Sequence, residues 1–194
     1  MKIVGLTGGI GSGKTTVANL FSKFDNVAVY IADVEAKKLM NSSGIIREKL
    51  INKFGKESFK DNKLNRKYIA GIVFDNKLKL KTLNSIVHPE VKKHFQEFVK
   101  NNIDKEYILY ENAILFESKS NLFCDKIISV FVSKKVRINR IMLRDNCTRT
   151  AAENRIKNQW KEDKKNLQSN YLIDNNNLNN LQSQVKRIHN NLTK

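Results

Sequence analysis

Apolar positions in this chain follow two rhythms, short continuous runs and a three-and-four-residue recurrence. The opening KIVGLT, residues 2–7, is a short apolar run that predicts a buried strand, and glycines follow it at once. From Lys14, the stretch KTTVANLFSKF places Val17, Ala18, Leu20, Phe21 and Phe24 at helical spacing. NVAVYIAD predicts a second strand, ending at Asp33. From there to about residue 101 the pattern is mostly helical and polar, in the segments VEAKKLM, IIREKLINKF, RKYIAGIVF, LKLKTLNSIV and PEVKKHFQEFVK. The sole proline, Pro89, suits the first turn of the last of these.

EYILYENAILF and DKIISVFVS predict two further strands, both too apolar for a sheet with one wet face. Such runs suit a parallel sheet covered by helices on both sides. KKVRINRIMLRD and TAAENRIKNQW predict helices, and NYLID a last short strand. At the C-terminal end Leu178, Leu181, Val185, Ile188 and Leu192 form one apolar stripe, too short for a coiled coil and suited to packing on the sheet. Strands alternating with helices predict an α/β fold, with one helical insertion between the second and third strands.

Composition narrows the partners without choosing one. Lys and Arg number 36 against 19 acidic residues, a net charge of +17. That excess fits nucleic acid, a small polyanionic substrate, or a lysine-rich bias spread over solvated faces, and no block of five or six basic residues favours the first. The longest apolar runs fall far short of the ~20 residues of a membrane span. No signal-peptide pattern precedes the first strand, so a cytoplasmic protein is expected. Two cysteines, Cys124 and Cys147, and three histidines make neither a disulfide framework nor a zinc site.

The chemistry begins at GGIGSGKT, residues 8–15, which fits G-x-x-x-x-G-K-[ST] between a predicted strand and a predicted helix. Glycines there let backbone N–H groups converge on phosphate oxygens at a helix N-terminus. Gly9, Gly11, Ser12, Gly13, Lys14, Thr15 and Thr16 span a candidate nucleotide-phosphate site, and the loop alone leaves kinases, GTPases, motor ATPases and helicases open. Lys14 reaches the outer phosphates, and the Thr15 hydroxyl is the candidate Mg²⁺ ligand. If the first two strands are neighbours, Asp33 faces this loop and could accept a proton from an acceptor hydroxyl; it could equally cap the following helix. Arg137, Arg140 and Arg144, three and four apart, share a helix face that could form a basic lid or a merely solvated surface. Arg155 and Gln159 repeat the i, i+4 spacing on the next helix.

Together these segments resemble the dephospho-CoA kinase family over nearly the whole chain. The likeness rests on TGGIGSGKT, YIADVEAKKL, LNSIVHPEV, ENAILFES, RINRIMLRD, ENRIKNQ and YLIDNN in that order. The resemblance implies a P-loop NTPase fold: one kinase domain over 1–194, its core at 1–34, 101–133 and 165–194. It implies a helical acceptor-binding insertion at about 35–100 and a helical lid at about 134–164. ATP with Mg²⁺ would phosphorylate the ribose 3′-hydroxyl of dephospho-CoA. Asp33 would be the base, Arg140 and Arg144 lid arginines, Asn175 a neighbour of the adenine site, and Lys37 and His88 acceptor-side residues. His88 could instead fix a helix start. Ala113 and Ile114 stand where the family carries Pro-Leu, Glu111 where Asp is common, Lys37 for Arg, and Arg137 for Gln. No nucleic-acid or membrane partner is implied, and the oligomeric state stays open, a monomer being the simpler expectation. A kinase for another small alcohol, or a nucleic-acid-stimulated NTPase, remains the alternative.

Overall fold

The computed structural model describes residues 1–73 and 76–194, with Leu178 described by its backbone alone. Its elements run β1 (Lys2–Gly8), α1 (Lys14–Phe21), β2 (Val27–Ile31), α2 (Ala32–Ser42), α3 (Gly44–Phe54), β3 (Phe59–Lys60), β4 (Lys63–Leu64), α4 (Arg66–Val73) and α5 (Lys77–Lys100). They continue with β5 (Tyr107–Glu111), β6 (Lys126–Phe131), α6 (Lys134–Asp145), α7 (Arg149–Lys157), α8 (Glu162–Leu167), β7 (Tyr171–Asp174) and α9 (Leu181–Leu192). The chain divides into two compact units, a sheet unit of Met1–Ile31 with Asn102–Lys194 and a helical unit of Ala32–Asn101.

In the sheet unit five parallel strands lie in the order β2-β5-β1-β6-β7. β1 is therefore not beside β2, as the sequence invited, because β5 lies between them. Burial explains the placement: every residue of β5, YILYE, is buried, whereas β2 is buried on alternate positions near its end. The strand that can least tolerate water takes the inner position. Val4, Leu6, Leu109, Ile128 and Val130 are fully buried in one cluster with Val17, Ala18 and Phe21 of α1. α9 lays Leu181, Val185, Ile188 and Leu192 into that cluster, so most of the C-terminal stripe packs on the sheet; the side chain of Leu178 lies outside the described residues.

The helical unit packs α2, α3 and α4 around α5. Its core is Ile46, Leu50, Phe54, Ile69, Ile86, Val87, Val91 and Phe95. Ser43 caps α3 by accepting from the Ile46 N–H, and Asn76 caps α5 by accepting from the Lys79 N–H. α5 is continuous through Pro89, so that proline does not open a helix and His88 does not fix a start. The apolar positions Ile86, Val87, Val91 and Phe95 bury on both sides of it, and this packing outweighs the one N–H that proline removes. The expected helix RKYIAGIVF is observed to Val73, and Phe74 lies outside the described residues. The short α8 and the small β3–β4 hairpin have too few residues to show a periodicity. Among the described residues no helix is long and apolar enough to cross a membrane.

Candidate active site

β1 delivers its last residue, Gly8, to the carboxyl end of the sheet, and α1 begins at Lys14. Gly11 at φ 80° and Gly13 at φ 89° hold left-handed backbone that other residues resist. Gly13 is the N-cap of α1, so no side chain closes the helix start, and its first turn carries no acidic residue. The N–H groups and dipole of that turn are thus left to an external anion. Ser12 N–H donates to the Gly9 carbonyl at 3.0 Å, and the ammonium of Lys14 donates to the same oxygen at 3.4 Å. Lys14 is only 9% exposed, a cation folded back on its own loop. Thr15 and Thr16 present the exposed side of the first turn.

The loop is braced from outside by side chains that are distant in sequence. Asn175, just beyond β7, donates from Nδ2 to the Ser12 carbonyl at 2.7 Å. A Cβ at Gly13 would overlap that amide, which is why the approach requires glycine. Arg140 donates to the Asn175 carbonyl at 3.2 Å and to the Ser12 carbonyl at 3.5 Å. Asn175, 1% exposed, thus lies on the phosphate loop itself. The buried oxygens Ser12 Oγ and Asn175 Oδ1 have no hydrogen-bond partner among the described residues. Thr7 Oγ1, Glu117 Oε2 and Glu162 Oε1 are likewise without such a partner among the described residues.

The three arginines of α6 do not form one row. Arg137 is buried and pairs with Glu162, Arg140 lies on the loop, and Arg144 is exposed and pairs with Asp145 at 2.8 Å. Arg137 and Arg144 each meet an acid, whereas Arg140 meets the backbone carbonyls of Ser12 and Asn175. The Arg144 hydrogen bond holds the Asp145 carboxyl below its ordinary range, and Arg155 pairs with the same carboxylate. α7 ends at Lys157, so Arg155 and Gln159 do not share a helix as expected; Gln159 instead accepts from the Ile10 N–H at 2.7 Å.

Glu111 ends β5 in register with Leu6 of β1 and is 3% exposed, a carboxylate on the strand beside the loop strand. Asp33, Lys37 and His88 belong to the helical unit. Asp33 is the second residue of α2, not a strand end and not a cap, and its charge favours the helix start. Lys37, one turn later, shares its face. Both are exposed, as is His88 on α5.

Sequence reasoning missed the buried Lys165 and the half-buried Glu117 and Glu162. Lys165 is wholly buried, pairs with Glu117 at 3.0 Å and donates to the Ala113 carbonyl at 2.8 Å. Burial lowers its pKa and the Glu117 carboxylate opposes that. No periodicity announces such a pair, because charged residues in a polar stretch read as solvated. Burial pushes the Cys124 thiol up to about 12, which keeps it protonated and unreactive.

The sequence profile of the dephospho-CoA kinase family matches residues 2–180. A dephospho-CoA kinase from Fusobacterium nucleatum is 38% identical over 95% of this chain and 95% of its own. A Thermus thermophilus protein, TT1252, superposes with a TM-score of 0.86 at 26% identity over 100% of this chain and 98% of its own. The dephospho-CoA kinase of Campylobacter jejuni superposes at 0.71 and 25% identity, covering 98% and 96%.

Proposed function

The chain belongs to the dephospho-CoA kinase family, the kinases of the final step of coenzyme A biosynthesis, and on that premise we propose how its residues divide the reaction. The γ-phosphoryl group of ATP passes to the ribose 3′-hydroxyl of dephospho-CoA. The observation that carries this is the open, uncapped start of α1, with Lys14 folded against Gly9 behind it. N–H groups of Gly11 to Thr16 receive the ATP phosphates, and Lys14 exchanges the Gly9 carbonyl for phosphate oxygens. Arg140, already against Ser12, neutralises charge as the phosphoryl group moves, and Arg144 follows where the lid closes. Asn175 fixes the loop at the nucleotide. Residues 134–164 serve as lid, and residues 35–100 as the acceptor lobe.

Asp33 orients the acceptor hydroxyl and takes its proton, while Lys37 and His88 contribute to acceptor binding. The oxygen donors Thr15 Oγ1 and the Glu111 carboxylate suit Mg²⁺, a hard cation that would supply charge neutralisation between the phosphates. The net charge of +17 then serves two polyanionic substrates in the cytoplasm, with a monomer sufficient for the chemistry. ADP release from Mg²⁺-ATP tests this with dephospho-CoA, a nucleoside and nucleotide panel, shikimate, and no acceptor. Turnover that requires dephospho-CoA, with product carrying one added phosphate, is expected. Turnover with a different alcohol alone would overturn the acceptor assignment.

A further inference from the structure

One cation at this site is almost wholly shielded from solvent. The Arg137 side chain is 5% exposed and its partner Glu162 is 18% exposed. Its Nε donates to the Ile10 carbonyl at 3.0 Å, and a terminal nitrogen donates to Glu162 Oε2 at 3.3 Å. The guanidinium fills the volume that a Cβ at Gly9 would occupy, so loop and arginine are in direct contact along their length. Gln159 accepts from the N–H of the same Ile10. Both backbone polar groups of Ile10 are therefore held by side chains that follow β6 in the chain.

The peptide that carries the Ile10 N–H also carries the Gly9 carbonyl, and that carbonyl receives Ser12 N–H and the Lys14 ammonium. Turning this peptide moves the rest position of Lys14. The segment that supplies Gln159 and Glu162 is itself fastened: Trp160 N–H donates to Glu117 at 2.9 Å, and Lys165 pairs with Glu117. Burial raises the Glu162 carboxyl pKa, and the Arg137 charge opposes the rise, as expected where each ion makes the other tolerable.

We infer that Arg137, held by Glu162, is a positioning residue that fixes the Ile10–Gly11 peptide and packs on Gly9, beside the Gly9–Ile10 peptide that Gln159 holds, and so sets the readiness of Lys14 and the loop for ATP. It acts on ATP and not on the acceptor. This rests on the phosphoryl-transfer reading of the loop.

The test compares Arg137→Met, Arg137→Lys and Glu162→Gln with the wild type, by steady-state kinetics in each substrate and by ADP binding without acceptor. The single tryptophan, Trp160, next to Gln159, supplies the fluorescence signal. Arg137→Met is expected to raise KM for ATP and Kd for ADP by about tenfold, the size of one lost charge-assisted hydrogen bond. KM for dephospho-CoA should change less than about threefold, because acceptor binding does not depend on the Ile10 peptides in this scheme, while kcat falls together with ATP affinity as Lys14 loses its rest position. Arg137→Lys keeps charge without the Nε donor and should recover only part of the affinity, and Glu162→Gln should weaken ADP in the same direction. Unchanged ATP KM and ADP Kd in all three variants would overturn the inference. So would full recovery by Lys, which would leave charge alone as the cause, or equal losses for both substrates with lowered stability, which would mark a structural role. If Arg137→Met does not fold, Arg137→Lys and Glu162→Gln decide by the same split. Wild-type protein that binds no ADP would instead sink the phosphate-loop reading itself.

Discussion

The two units use their residues in opposite ways. The sheet unit builds its chemistry from backbone: glycines with left-handed dihedrals, an uncapped helix start, and carbonyls pinned by Arg137, Arg140 and Asn175. The helical unit offers side chains on helix surfaces, Asp33, Lys37 and His88 all being exposed. A backbone cradle recognises phosphate, a shape shared by every nucleotide, and must be rigid because its donors cannot rotate. Exposed side chains suit a partner that must be oriented and whose identity matters. The difference teaches that substitutions in the first region act through loop geometry, whereas those in the second act on one contact each.

The largest effects should come from the pair proposed to meet the reacting atoms. Lys14→Met should lower kcat by roughly 10²–10³ and weaken ATP as well. Asp33→Asn should lower kcat by roughly 10²–10⁴ with ADP affinity preserved, as expected for loss of a general base. Initial rates and calorimetric ADP binding measure both. Equal losses of kcat and ADP affinity at Asp33 would erase the division between the regions.

Next in size is Leu50→Ala, fully buried in the helical unit, which should cost about 2–5 kcal/mol. Because ADP is assigned to the sheet unit, its affinity should survive in the variant below the melting temperature, while dephospho-CoA turnover falls. Joint loss of both would show that the units stand or fall together.

Lys37→Ala should raise KM for dephospho-CoA about fivefold and leave KM for ATP alone, the scale of one exposed charge contact. A change confined to ATP would move Lys37 to the other side of the reaction.

The smallest effect is in stability against pH and sits far from the loop. Tyr107 O–H and His189 Nδ1 lie 2.9 Å apart in the core, and His189 stacks on Phe24. Burial lowers the His189 pKa below 6.5, with the Glu106 charge opposing. The unfolded chain then takes up a proton that the folded chain resists. Stability from this residue is full above about pH 6.5 and is lost as pH falls toward the depressed folded value. Melting curves from pH 8 to 5 should show a shallower decline in His189→Gln than in wild type; parallel curves would remove His189 from the account.

Much of the fold was legible because its signals are local. The five sheet strands, the helix after the loop and most of the C-terminal stripe each announce themselves by apolar spacing, and the phosphate loop by glycines whose dihedrals no other residue adopts as readily. The sequence by itself therefore determined the α/β class, the glycine-rich loop between β1 and α1, and the arginine-bearing helix. It did not determine that β5 separates β1 from β2, because strand order is set by which run must be buried on both faces once all strands compete. Nor could it show that α5 runs through Pro89, since a local helix-start preference yields to apolar packing on both sides of the proline. Equally hidden were the different fates of Arg137, Arg140 and Arg144. Their spacing is helical and identical in kind, but the partners that separate them, Glu162, Asn175 and Asp145, come mostly from distant chain positions. Only the tertiary structure brings those partners within hydrogen-bond reach, and in a buried setting that reach decides whether a charge is a brace or a solvated surface.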